Sequence, residues 1–119
     1  MTADMSKEMT KAAYHVLEDH KGEDITVLDI SNVSIVADYF IIVTADNIRH
    51  VGALSDAVED KMAELSYPMR RQEGTPESGW ILLDYNDVII HIFNKEQRIF
   101  YDLERIWSDG KKIVNIDEL

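Results

Sequence analysis

Histidines and carboxylates are the residues of this 119-residue chain best suited to chemistry, and their spacing decides what they can do. The histidines are His15, His20, His50 and His91. His15 and His20 are five apart on a helical stretch, so their rings do not align. No pair has His-x3-His spacing or flanks a glutamate in the zinc-protease pattern. His91 lies between Ile90 and Ile92 and reads as a packed, hydrogen-bonded strand histidine rather than a general base. Asp84 and Asp87 would suggest a metal-holding pair for phosphoryl transfer. Two carboxylates on one strand face need a spacing of two, however, and these are three apart across a turn. They read as turn residues capping a hairpin. The five glycines are scattered, and neither G-x-G-x-x-G nor G-x-x-x-x-G-K-[ST] occurs. There is no cysteine, which removes a disulfide framework, a thiolate zinc site and a thiol nucleophile together. No serine, threonine or lysine stands in a nucleophile motif. The expectation is a protein that is not an enzyme, with no catalytic residue, no metal and no cofactor.

What remains is binding, and charge narrows the partner. Twelve Lys and Arg against 23 Asp and Glu give a net charge of −11. Such a surface repels nucleic-acid phosphates and anionic membranes. It favours the encounter with a basic protein, while the same charge also serves solubility alone. No apolar run approaches the ~20 residues of a membrane span. The first twenty residues carry Asp4, Glu8, Glu18 and Asp19, unlike a signal or transit peptide. A cytoplasmic location, without membrane attachment, is expected.

The elements that must position any site follow from periodicity. At 45% hydrophobic, the chain can bury one real core, roughly two-thirds of the surface its unfolded form exposes. Met5, Met9, Ala12, Ala13, Val16 and Leu17 predict a first helix over about 4–21, stopped at Gly22. Strands follow at 25–30 and 39–44, the second apolar on both faces. Asp46 or Asn47 can cap a second helix to about Ser66, with Val51, Leu54, Val58, Met62 and Leu65 as its stripe. A short extended piece at 69–73 leads into a loop marked by Gly74, Pro76 and Gly79, expected to be flexible. A hairpin over Trp80 to Phe93 turns at Tyr85 and Asn86, with Leu83 opposite Val88. Asn94 can cap a third helix over about 95–107. Residues 1–108 are expected to form a single α/β domain, a mixed sheet with helices mainly on one face. Residues 109–119 are expected to be a flexible tail or an edge strand.

The hairpin has two unlike faces. Any even-length turn collects Ile81, Leu83, Val88, Ile90 and Ile92 on one side, a purely aliphatic set that belongs to the core. The other side collects Trp80, Leu82, Asp84, Asp87, Ile89, His91 and Phe93. Aromatics beside carboxylates suit a protein-binding surface. An external partner, cover by the third helix or the tail, and a homodimer contact all remain open from this pattern.

Four stretches together resemble the ribosomal silencing factor (RsfS, or Iojap) family: ADYFIIVT at 37–44, RHV at 49–51, WILLDYNDVIIHIF at 80–93 and RIFYDLERIW at 98–107. The resemblance runs over roughly residues 5 to 108. It implies a nucleotidyltransferase-like α/β fold without the catalytic residues. It also implies that the protein binds ribosomal protein fourteen of the large subunit and sterically blocks joining of the small subunit, repressing translation. Carried onto this sequence, the family's contact surface falls on Trp80, Leu82, Asp84, His91, Phe93, Tyr101, Asp102 and Leu103. Asn86 stands where the family usually has glycine, a change that preserves turn geometry. The loop Thr44-Ala45-Asp46-Asn47 replaces a Thr-Gly-x-Ser-like one, which counts against nucleotide chemistry. A nucleotide-transferring enzyme and a homodimeric interaction module are the alternatives.

Overall fold

The computed structural model describes residues 3–119, with side chains from Met5 onward. Helix α1 (Ala3–Asp19) leads into strand β1 (Glu23–Asp29), then β2 (Tyr39–Ala45) and helix α2 (Ile48–Glu64). Strands β3 (Arg71–Thr75), β4 (Trp80–Asp84) and β5 (Val88–Asn94) precede two short helices, α3 (Lys95–Tyr101) and α4 (Leu103–Ile106). A two-residue strand β6 (Lys111–Lys112) and a final turn at Ile116–Glu118 close the chain.

The strands form one sheet in the order β3-β4-β5-β2-β1-β6. Its central pair, β2 with β5, is parallel, and the other pairs are antiparallel. Every residue of β2 is buried, because it has a strand on each edge and packing on each face. The inward set Tyr39, Ile41, Val43, Ile81, Leu83, Ile90 and Ile92 meets Met9, Leu17, Val51, Leu54, Val58 and Met62 from α1 and α2. Each such side chain contributes roughly 1.5–3 kcal/mol by leaving water. Of the stripe expected for the second helix only Leu65 stays out, at 43% exposed, because α2 has already ended. A second, smaller cluster on the opposite face joins Leu28, Ile30, Phe40, Ile42, Ile89 and Phe93 beneath Leu103 and Trp107. The long helices therefore share one face, and only the short C-terminal ones cross the other.

Local chemistry sets the joints. Asn47 caps α2 by accepting from the His50 backbone N–H at 2.9 Å. The His50 ring then ties three segments together, its Nδ1 accepting from the Asp46 N–H and its Nε2 lying 2.9 Å from the His20 carbonyl. Lys21 takes the left-handed conformation after α1, at φ 65°. Gly22 is needed for closeness rather than for the stop: a Cβ there would lie 2.7 Å from Val43 Cγ2.

Three expectations change. The segment at Gly74–Gly79 is not a flexible loop. Gly74 pairs within the sheet, and Thr75 and Ser78 cap a tight turn reciprocally. The hairpin register is offset by two residues from the expected one, so Leu83 faces Ile90 and not Val88. An offset of two leaves parity, and hence both faces, unchanged. The third helix is broken at Asp102, which adopts φ 47°, ψ 51°. Of the two alternatives for residues 109–119, the structure has the edge strand: β6 pairs with β1 at the end of the sheet, and Ile116 is buried in the main core.

Candidate docking surface

The outer face of the β4–β5 hairpin carries the unlike residues, and register brings them into rows. Trp80 pairs with Phe93, Leu82 with His91 and Asp84 with Ile89. On the next strand Thr75, Glu73 and Arg71 extend these rows towards the sheet edge. Asn94 caps α3 by accepting from the Gln97 N–H at 2.8 Å, which folds the chain back over this face. The break at Asp102 then lowers Leu103 and Trp107 onto the sheet.

Trp80 stays partly exposed while being braced from behind. Its indole stacks on Phe93 with centroids 5.1 Å apart and lies 4.4 Å from the Tyr101 ring. Its Nε1–H donates to His91 Nδ1 at 3.2 Å. That bond fixes the neutral tautomer, with the ring proton on Nε2, which has no hydrogen-bond partner among the described residues. Phe40 packs across the same imidazole at 68°. Burial pushes the His91 pKa down to about 4, so the ring is neutral at physiological pH.

The expected contact residues therefore separate into two layers. Phe93 is fully buried, and His91 is only 4% exposed, as the elbow of α3 and α4 shelters them. These two lie beneath the exposed residues. Asp84 is 1% exposed and its carboxylate is already engaged. Its Oδ1 accepts from the Asn86 N–H at 2.8 Å, as expected of a turn cap. Its Oδ2 lies 3.4 Å from Arg71 Nε and 3.6 Å from Arg70 Nη1. The acid expected at the partner-facing edge is thus neutralised by this chain's own arginines, because β3 brings Arg71 directly opposite it. Trp80, Leu82, Asp102 and Leu103 remain partly exposed and Tyr101 is 39% exposed. Asp102 accepts from Arg105 Nε at 2.9 Å, so it also has a local partner.

A shallow groove of about 180 Å³ runs between Trp80, Leu82 and Tyr101 on one side and Glu73, Gly74 and Ser78 on the other. Beyond Tyr101, Ile99 and Phe100 are 73% and 75% exposed on α3. These two escaped notice in the sequence, where a continuous helix would have put part of the run 99–103 against the sheet. The surface is apolar, aromatic and shallow, which suits contact with another protein more than enclosure of a small molecule. Among the described residues no three histidines or carboxylates group as a metal site. Among the described residues, no helix is long and apolar enough to cross a membrane.

Comparison with known proteins gives this surface a context. The family described as "Ribosomal silencing factor during starvation" matches residues 3–119, past Ser108 where the sequence resemblance ended. The ribosomal silencing factor RsfS of Bacillus subtilis is 36% identical over 104 residues, covering 87% of this chain and 88% of that protein. The chloroplastic protein Iojap of Zea mays is 32% identical over 88% of this chain and 44% of its own length. A crystal structure of a Chromobacterium violaceum protein superposes with a TM-score of 0.82 at 36% identity, covering 89% of this chain and 88% of its own. A Bacillus halodurans structure gives 0.80 at 27%, covering 91% and 98%.

Proposed function

Because the chain belongs to the ribosomal silencing factor family, we propose that it docks on the large ribosomal subunit through ribosomal protein fourteen and excludes the small subunit. Occupancy of the joining face then represses translation, and the protein acts in the cytoplasm, without a chemical step. The observation that supports this reading is the state of Trp80, partly exposed yet held on its inner side by Phe93, His91 and Tyr101. An aromatic already fixed in place loses little freedom on binding, and such residues dominate interface energies. Leu82, Tyr101 and Leu103 supply apolar area around it, and Ile99 and Phe100 extend that area along α3. The net charge of −11 steers the encounter with a basic ribosomal protein. Asp84 is not a contact in this scheme. It holds the turn and β3, while Glu73 is the acid beside the groove.

The test is co-sedimentation with isolated large subunits, followed by a gradient assay for joining of both subunits. Binding is expected, to weaken as salt rises. Trp80→Ala should weaken it by at least about 30-fold, the loss of a typical aromatic anchor. Binding and joining unaffected by Trp80→Ala would place the contact elsewhere.

A further inference from the structure

The elbow that carries Tyr101, Asp102 and Leu103 is secured by packing only in part, through Tyr101 on Trp80 and through Leu103 and Trp107 on the smaller cluster. Helix α3 has seven residues and α4 has four, and neither contributes a fully buried side chain. Helices this short do not persist alone in water. The bend itself places Asp102 in a conformation that disfavours most side chains, at a cost of about 1 kcal/mol. Partial burial alone does not select this bend, and polar contacts add to it.

Arg98 supplies the hold. Its side chain is only 12% exposed. Its Nη1 donates to the Asp24 carbonyl at 2.7 Å and to Thr44 Oγ1 at 2.8 Å, and its Nη2 to Thr26 Oγ1 at 3.1 Å. Its Nε donates to Glu104 Oε1 at 3.0 Å. One guanidinium thus ties α3 to β1, β2 and α4 together. The link to Glu104 also depends on the break at Asp102. In a continuous helix residues six apart lie about 120° round the axis from each other, and their side chains do not meet. The bend allows the ion pair, and the ion pair favours the bend.

We propose that Arg98 is a positioning residue of the docking surface. It touches no partner, but it sets the elbow that presses Tyr101 against Trp80. The inference rests on the docking reading above. Lysine is a poor substitute, since one ammonium cannot span Asp24, Thr26, Thr44 and Glu104 in the fixed fork that a guanidinium provides.

The experiment measures hydrogen exchange and large-subunit affinity for the full chain and five variants: Arg98→Met, Arg98→Lys, Trp80→Ala, Tyr101→Ala and Arg98→Met with Tyr101→Ala. Arg98→Met should speed exchange across 99–107 while α2 and β2 keep their protection. It should weaken binding about tenfold, with Arg98→Lys between it and the parent. In the Tyr101→Ala background the further loss should be about twofold or less, because Arg98 acts through that side chain. Uniform loss of protection across the sheet, or fully additive effects, would make Arg98 an ordinary stabilising residue and overturn the proposal. If Trp80→Ala and Tyr101→Ala weaken binding and Arg98→Met does not, the clasp fails and the docking surface survives. If faster exchange appears but neither aromatic substitution affects binding, the docking reading fails and takes the role of Arg98 with it.

Discussion

Acid should destabilise this protein through His91, by an amount that follows from its burial. The imidazole has a folded-state pKa of about 4 against an unfolded value of 6.5, because the charged form has lost its water. A lowered folded pKa means that the unfolded chain takes up the proton first. The contribution to stability is therefore fully present above pH 6.5, is lost as pH falls towards 4, and is constant below that. The linkage amounts to about 2 kcal/mol lost by pH 5 and roughly 3 kcal/mol by pH 4. Protonation would also set an Nδ1–H against the Trp80 Nε1–H that now donates to it at 3.2 Å. Urea unfolding at half-unit steps from pH 7.5 to 4, compared with His91→Gln, isolates the effect from the carboxylates. The glutamine amide does not titrate, and its oxygen is an acceptor of the kind that Trp80 needs. The parent should lose about 2 kcal/mol more than the variant between pH 7 and pH 5. Trp80 fluorescence should move with the same acid transition. Parallel stability curves for the two proteins, or a His91 ring titrating near 6.5, would show that the imidazole is not desolvated as described.

Other substitutions separate the supporting layer from the surface. Asp84→Asn should cost about 1–3 kcal/mol in urea unfolding, through the Arg70 and Arg71 pairs, while the folded fraction keeps parental affinity for large subunits. Gly74→Ala should cost about 3 kcal/mol or more and free β3 in hydrogen exchange. Its φ is 88°, and a Cβ would sit 1.9 Å from the Trp80 carbonyl oxygen. Asn86→Gly should change stability in thermal unfolding little, within about 0.5 kcal/mol, because φ 72° suits both residues.

Periodicity made most of the fold legible, because it depends on alternation that any correct fold must satisfy. The buried stripe of α2 and the two hairpin faces follow from spacing alone, and parity held even though the register differed by two. The break at Asp102 was not legible. The run Arg98–Trp107 has no proline or glycine, and the bend is stabilised by Arg98 reaching residues more than fifty positions away. The burial of Asp84 was hidden for a similar reason. Its neutralising partner, Arg71, lies on a strand whose pairing with β4 is set by the turn at Thr75–Gly79. The structural role of His50 was not visible in its spacing. Its bridge between Asp46 and His20 needs α1 and α2 side by side before it exists.

The parallel pairing of β2 with β5 has a consequence for how the chain reaches this state. Strand β2 is a run of seven buried residues whose inner neighbour is supplied more than forty positions later. Until residues 88–94 arrive, Tyr39–Ala45 presents a bare, strongly apolar edge of the kind that seeds intermolecular pairing. Assembly must therefore wait on a contact between distant segments, which slows it and leaves a window for aggregation. A chain cut short before Val88 should collect in the insoluble fraction, whereas one that includes Asn94 has the partner that its central strand requires.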